Sequence, residues 1–323
     1  MTSFHDEEYL KMVDYVLKNG TRKPNRTGVD TIGVFSYQMR FDLRDGTIPL
    51  LTTKKVHVKS IIHELLWMMS GSSNIKYLND NGVKIWNEWA DGNGELGPVY
   101  GVQWRAWQAY RYVPAHEIGP EWVDDHYEVS RVDQIAQIID KLKTNPLDRR
   151  LIVSAWNVAE IPNMKLPPCH YAFQFYARPL TSVERLFPLT RTHYIPPDAT
   201  AEDVERVLDQ DNIPKYELSV MLNQRSCDMG LGVPFNIVQY SFLLRMFCEV
   251  ANMYPGEFIW NGGDTHVYVN HVDALREQLT RTPFPSPSFK FARKVEHIDD
   301  YKYEDFIIED YNSHPAIKME VAV

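Results

Sequence analysis

Cys169 stands in the run Leu166-Pro167-Pro168-Cys169-His170, the stretch of this chain best suited to nucleophilic chemistry. Each proline ring fixes its own φ and restricts the residue before it, so the thiol is carried on stiff backbone. Beyond it, Tyr171-Ala172-Phe173-Gln174-Phe175-Tyr176 alternates as a half-buried strand does. The thiol is therefore expected at a strand edge beside an imidazole. A thiolate attacks and a thiol does not, so such a group needs positive neighbours. The candidates are Arg225-Ser226, just before Asp228-Met229-Gly230-Leu231-Gly232, and Arg149-Arg150, in a turn after Asn145-Pro146. Guanidinium forks also match phosphate oxygens, glycines permit close backbone approach, and a helix starting near Asn236 adds a positive dipole end. The competing reading is plain packing. A free cysteine is commonly a small buried hydrophobe, and a basic dipeptide is commonly a solvated surface feature. Cys248, in the apolar run Leu243–Cys248, is assigned to the core. Cys227 stays open, within a polar segment, Gln224–Asp228, read as a loop.

Four further groups could support such a nucleophile. Glu64 lies mid-helix beside an apolar face, where a carboxylate either pairs structurally or has a raised pKa and moves protons. The Asn236 amide offers a donor and an acceptor to a base edge, or caps the following helix. His266 and Tyr268 share one side of a strand and could hold a sugar hydroxyl, which is weak evidence taken alone. The span from Trp86 through Trp89, Gly97 and Tyr100 to Trp104-Arg105 holds three tryptophans and four glycines. It reads as a loop lining a pocket for a flat heteroaromatic ligand, or equally as an aromatic packing corner.

These groups need a scaffold, and the chain has the material for one. It has 323 residues, 44% of them hydrophobic. Helices are expected over Asp6–Lys18, Val58–Ser70, Ser130–Lys143 (with Ser130 and Asp133 in capping-box positions) and Asn236–Val250, and a strand over Thr31–Leu43. The proline-bearing stretch 178–216, with one short helix at Thr200–Leu208, reads as a surface insertion. Three cysteines at unrelated spacings argue against a disulfide framework and against a zinc site. A net charge of −9 disfavours a nucleic-acid polymer as substrate. The acidic N-terminus and the lack of a long apolar run point away from the membrane, and the expected location is cytoplasmic. The tail Lys318–Val323 is apolar enough to dock or to close over a site.

Taken in order, these segments resemble the thymidylate synthase family. The likeness begins at Asn25-Arg26-Thr27-Gly28 and runs through Leu51-Thr52-Thr53-Lys54-Lys55, Ser60–Trp67, the tryptophan segment and Arg149-Arg150. It continues through Pro167–His170, Gln224–Asp228, Gly232–Ile237 and Gly263–Tyr268 to Val321-Ala322-Val323. The resemblance implies a single α/β (α+β) catalytic domain over 1–323, a large mixed twisted sheet flanked by helices, and a homodimer with sheets packed back to back. It implies dUMP as substrate, 5,10-methylenetetrahydrofolate as carbon and hydride donor, and no metal.

The implied roles are these. Cys169 adds to pyrimidine carbon 6. Arg225, Arg26 and Ser226 hold the phosphate, and Arg149 and Arg150 reach over from the partner subunit. Asn236 pairs with the uracil edge, and His266 and Tyr268 hold the ribose hydroxyl. Glu64 moves protons, with Tyr100 and His170 near the reacting ring. Trp86, Trp89 and Asp228 contact the folate (Asp228 also counting toward the nucleotide site), Lys54 meets its glutamyl tail, His57 lies on the folate side, and Val323 helps seal the site.

The chain departs from the common family pattern at Asn87, Asn223 and Gln239, and in the length of its 178–216 stretch. Extra polar groups at Asn223 and Gln239 could hold a water near the pyrimidine. The alternatives are a pyrimidine-nucleotide hydroxymethylase, in which water captures the methylene, and a non-catalytic nucleotide- or RNA-binding relative. Asn236 favours uracil over cytosine, since Asp at that position marks deoxycytidylate-specific relatives.

Overall fold

The computed structural model describes residues 4–114, 126–186 and 200–321. Its centre is a six-stranded mixed sheet. In chain order the elements are α1 (Phe4–Asn19), β1 (Thr21–Lys23), β2 (Thr31–Asp42), α2 (Val58–Met69), α3 (Lys76–Asp80), α4 (Tyr100–Ala106), β3 (Trp107–Val113) and β4 (His126–Val132). Then come α5 (Gln134–Thr144), β5 (Ile152–Ser154), β6 (His170–Pro179), α6 (Ser182–Leu186), α7 (Ala201–Gln210), β7 (Tyr216–Asp228), α8 (Gly232–Ala251), β8 (Tyr254–Tyr268), α9 (Val272–Leu279), β9 (Ser288–Phe291) and β10 (Phe306–Glu309).

The main sheet runs β1-β2-β8-β7-β6-β5. Its pairs are antiparallel except β7 with β8, which are parallel and joined by α8. That crossover helix is buried along almost its whole length, from Val233 to Val250, and packs on both strands it connects. Because the two strands are parallel, their carboxyl ends lie side by side, with Ser226 opposite Asp264 and Asp228 opposite His266. The amino end of antiparallel β6 joins the same edge, where His170 pairs with Gln224. Clefts at the carboxyl ends of parallel strands are where open α/β sheets bind ligands.

Several expectations move. The helix expected from Ser130 starts at Gln134. Ser130 lies in β4, paired with Ala109 in a hairpin, and the Asp133 side chain alone caps α5 by accepting from the Ala136 amide at 2.9 Å. α8 starts at Gly232, so Asn236 lies in its second turn and does not cap it. Pro234 fits there because a first-turn residue needs no N–H partner. Gln224–Asp228 is the end of β7 and not a loop, and Cys227 is fully buried within it. Tyr100–Ala106 is the helix α4, so only the first part of the tryptophan segment is loop. The 178–216 stretch is not all excursion, since Arg178, Pro179 and Tyr216 belong to strands, and its described part carries two helices, α6 and α7.

One buried carboxylate ties the first helix to the segment leading into α2. Asp6 accepts from the amides and hydroxyls of Thr52 and Thr53 at 2.8–3.0 Å. All three residues are fully buried. Removing the carboxylate strands those donors away from water. Asp6→Ala is therefore expected to cost about 3 kcal/mol of unfolding free energy in urea titration. A cost under about 0.5 kcal/mol, the usual size for a plain surface change, would contradict this role.

Candidate active site

Cys169 sits just before β6, where a register shift between His170 and Ala172 turns the strand end. Irregularities of this kind re-aim side chains beside active sites. The backbone of the nucleophile is fixed from both sides. Its carbonyl accepts from the Arg225 amide at 2.8 Å, and its amide donates to the Tyr100 hydroxyl at 2.8 Å. The Arg225 guanidinium donates to the carbonyls of Pro168 (2.9 Å) and Pro167 (2.8 Å). It also lies 5.4 Å above the Trp156 ring, a cation–π distance. The proline pair cannot donate and leaves its carbonyls available, so one arginine clamps the whole turn. Burial pushes the Cys169 thiol above its ordinary pKa, while Arg225, the Tyr100 hydroxyl and Arg26 pull it down. Cys227 and Cys248 are pushed far higher by burial, which marks them as inert core thiols.

A cleft of about 350 Å³ opens at this sheet edge. Cys169, Arg26, Arg225, Ser226, His266 and Tyr268 line it together, with Trp89 at one wall. These groups come from five separate stretches of chain. The His266 and Tyr268 rings meet edge to face at 5.4 Å. His266 Nδ1 lies 3.1 Å from the Asp264 carbonyl, which leaves its other nitrogen for the cleft.

Behind the cleft lies a buried polar layer. The Tyr100 and His170 rings stack at 4.2 Å, and His170 Nδ1 is 2.9 Å from the Tyr240 hydroxyl. Burial lowers the His170 pKa to about 3, so the imidazole is neutral at physiological pH. Glu64 is buried on α2, and burial raises its pKa to about 7. The Trp86 indole donates to one of its oxygens at 2.7 Å and the Gln239 amide to the other at 3.1 Å. Both bonds favour the ionised form against that rise. Gly101 allows this layer to close, because a Cβ there would collide with the Met68 carbonyl, and without it α4 could not bring Tyr100 against α2.

The remaining expected residues fall in different places. Asn236 is buried on α8, with no side-chain hydrogen bond among the described residues. Asp228 accepts from the Gly230 amide at 2.8 Å and faces His271. Lys54 is buried, not open at the cleft mouth. Its ammonium donates to the Gly230 carbonyl, and burial lowers its pKa to about 8 against the pull of Asp228. The Asp6 clamp on Thr52 and Thr53 draws this lysine inward. His57 is exposed, with Nδ1 2.7 Å from the Ser60 hydroxyl. Arg149 and Arg150 are exposed on the turn before β5 and do not line the cleft, and Arg150 pairs with Asp148. Val323 lies outside the described residues. The tail before it is held where His271 Nε2 meets the Glu320 carbonyl at 2.7 Å.

Sequence reasoning missed Lys165, a third cation lining the cleft. Its position four residues before Cys169 was the available signal. It also missed Trp156 beneath Arg225, for which no local signal exists. Among the described residues no group of His, Cys, Asp and Glu is arranged to hold a metal ion, and no helix is long and apolar enough to cross a membrane.

The opposing influences on Cys169 can be measured. Arg225→Gln removes the largest force favouring the thiolate, so the midpoint of the alkylation-rate profile against pH is expected to move up by about one unit. The buried Cys227 and Cys248 stay unmodified in the folded protein. An unmoved midpoint would mean that Arg225 acts on the backbone alone.

A family model described as Thymidylate synthase matches residues 7–323 of this chain. The thymidylate synthase of Francisella philomiragia subsp. philomiragia is 44% identical over 329 aligned positions, covering 98% of this chain and 99% of that relative.

Proposed function

The chain belongs to the thymidylate synthase family, and we propose that its cleft carries out the reductive methylation of dUMP to dTMP, which makes it a methyltransferase. The observation that carries this reading is the clamped Cys169 backbone beside two arginines, in a cleft where Arg26 and Ser226 are left free for a ligand. Arg26 and Ser226, which line the cleft, and Asn236, buried on α8, have no side-chain hydrogen bond among the described residues. Such groups suit a ligand with a phosphate at one end and a pyrimidine edge at the other.

In this reading Arg26, Arg225 and Ser226 receive the phosphate, His266 and Tyr268 the ribose hydroxyl, and Asn236 the uracil edge. Cys169 Sγ attacks carbon 6 of the ring, which makes carbon 5 nucleophilic. Phosphate binding draws on the same Arg225 that favours the thiolate, so substrate and nucleophile are coupled through one side chain. Glu64 holds and returns protons near the ring, with neutral His170 and Tyr100 completing the wall. 5,10-Methylenetetrahydrofolate, the cosubstrate general to this family, supplies the one-carbon unit and the hydride. Trp86, Trp89 and Asp228 would hold it, with Lys54 and His57 on the side of its tail and Val323 closing the site. The proximity of Trp89 to the cleft fits a flat ligand.

A homodimer is part of the proposal. Strands β2, β5 and β6 leave Phe35, Ile152 and Tyr176 exposed, as a face awaiting a second copy would. Arg149 and Arg150, exposed beside β5, would then complete the partner's phosphate site.

Incubation with 5-fluoro-dUMP and methylenetetrahydrofolate is expected to give a covalent complex on Cys169, read by mass. Cys169→Ser should bind nucleotide yet lose turnover by at least about 10³-fold. Turnover by the wild type should yield dTMP and dihydrofolate, and a hydroxymethyl product with tetrahydrofolate would overturn the reading.

The pH dependence follows from Glu64. If its ionised form accepts a proton, activity is full above about pH 7 and falls as pH drops through that value, because the protonated fraction rises. Glu64→Gln should remove this acid limb and lower kcat by about 10²-fold or more. A persisting acid limb would assign it to another group. Asn236→Asp should shift preference toward dCMP, and an unchanged preference would show that another group reads the base.

A further inference from the structure

Gln239 is a polar group of the buried layer, in direct contact with Glu64, that the reaction described above does not use. It lies on α8, one turn beyond Asn236 on the same helix face, and is 1% exposed. An uncharged amide of this length in a helix core is costly unless both of its ends are satisfied. Only one is. Nε2 donates to Glu64 at 3.1 Å and touches the Met68 sulfur at 3.8 Å, while Oε1 is buried without a hydrogen-bond partner. The amide cannot gain by turning over, since that would set its carbonyl against the Glu64 carboxylate. The Trp86 indole holds the other Glu64 oxygen at 2.7 Å. The carboxylate is thus gripped at both oxygens by donors from two different segments.

We propose that Gln239 is a positioning residue for Glu64, holding one carboxylate oxygen in place and favouring its ionised form. Gln239 acts through Glu64 and touches no reacting atom.

The other titratable groups around this carboxylate do not duplicate the role. Tyr100 comes from α4 and Tyr240 from α8, and both phenols stay protonated well beyond physiological pH because of burial. His170, at the start of β6, is neutral, and Cys169 lies beyond Tyr100. His63, next to Glu64 on α2, turns away to stack on Tyr303 at 4.6 Å. Trp86 and Gln239 are therefore the donors that set the charge of Glu64.

The functional meaning of this role rests on the proton-moving role proposed for Glu64, but the role itself can be tested without turnover. Gln239→Met keeps the length and the contact with Met68 and removes the amide. Gln239→Leu removes it with a different shape. The ionisation of Glu64 is read in the ligand-free protein by infrared difference spectroscopy of the protonated carboxyl, with Glu64→Gln to assign the band.

In whichever variant keeps the native near-ultraviolet spectrum, the Glu64 midpoint should rise by about half a pH unit or more, since a donor to the charged form is gone. The acid limb of kcat should move by the same amount, with KM for dUMP little changed. An unmoved carboxyl midpoint in a folded variant overturns the inference, and so does loss of native structure in both variants, which would make the residue a packing element. A midpoint that moves while the kcat limb stays fixed upholds the inference and instead removes Glu64 from the rate-limiting proton transfer.

Discussion

The arginine clamp on the proline turn is the constraint on which the site depends. A thiol on an ordinary strand end would swing with its loop. Here the carbonyls of Pro167 and Pro168 take the Arg225 guanidinium, and the Cys169 carbonyl takes the Arg225 amide. The nucleophile is thus bound to the interior strand β7, and through β7 to the parallel pair at the centre of the sheet. Prolines make this possible in two ways: they stiffen the turn, and they give a run of carbonyls with no competing N–H. The same guanidinium lines the cleft and lowers the thiol pKa. Position, charge and the proposed phosphate contact converge on one side chain.

The buried layer behind the cleft works by separating proton affinities. Burial drives His170 and Glu64 in opposite directions on the pH scale, the base down to about 3 and the acid up to about 7. Both shifts have the same cause, the cost of burying charge. The result is an imidazole that stays neutral and a carboxyl poised near the working pH. Trp86 and Gln239 keep the second shift from running further. An active site needing a proton store near pH 7 gains it from a carboxylate that a hydrophobic core would otherwise neutralise.

Much of this was legible in the sequence, for definable reasons. Helices α1 and α2 follow from apolar spacing and strand β2 from its run, because those patterns reflect burial on one face. The Pro-Pro-Cys-His run announced a fixed thiol, and the ordered motifs announced the family. What failed to show were features set by partners distant in sequence. Gln224–Asp228 is polar and reads as loop, yet it is a strand because β8 pairs along its length, with β6 joining at Gln224. Asn236, an N-cap residue type, stands where the helix was expected to start, but Leu231 holds that place. The burial of Lys54 had no local sign either, since the Asp6 contacts that hold the neighbouring Thr52 and Thr53 reach across more than forty residues. Trp156 carries no local sign that it supports Arg225.

The site also explains where the protein tolerates imperfection. Most of its buried polar groups are paired, yet Gln239 Oε1 and His271 Nδ1 are buried without a hydrogen-bond partner. Each such atom costs about 1–3 kcal/mol of folding free energy. One abuts the carboxylate of the buried layer. The other lies 3.8 Å from Asp228, at the place where His271 holds the tail through the Glu320 carbonyl. Gly230 is what allows that contact, since a Cβ there would press on both His271 and the Met319 sulfur. A fold selected for stability alone would fill both positions with apolar side chains. Keeping such atoms beside the proposed proton group and beneath the tail sets stability against chemistry.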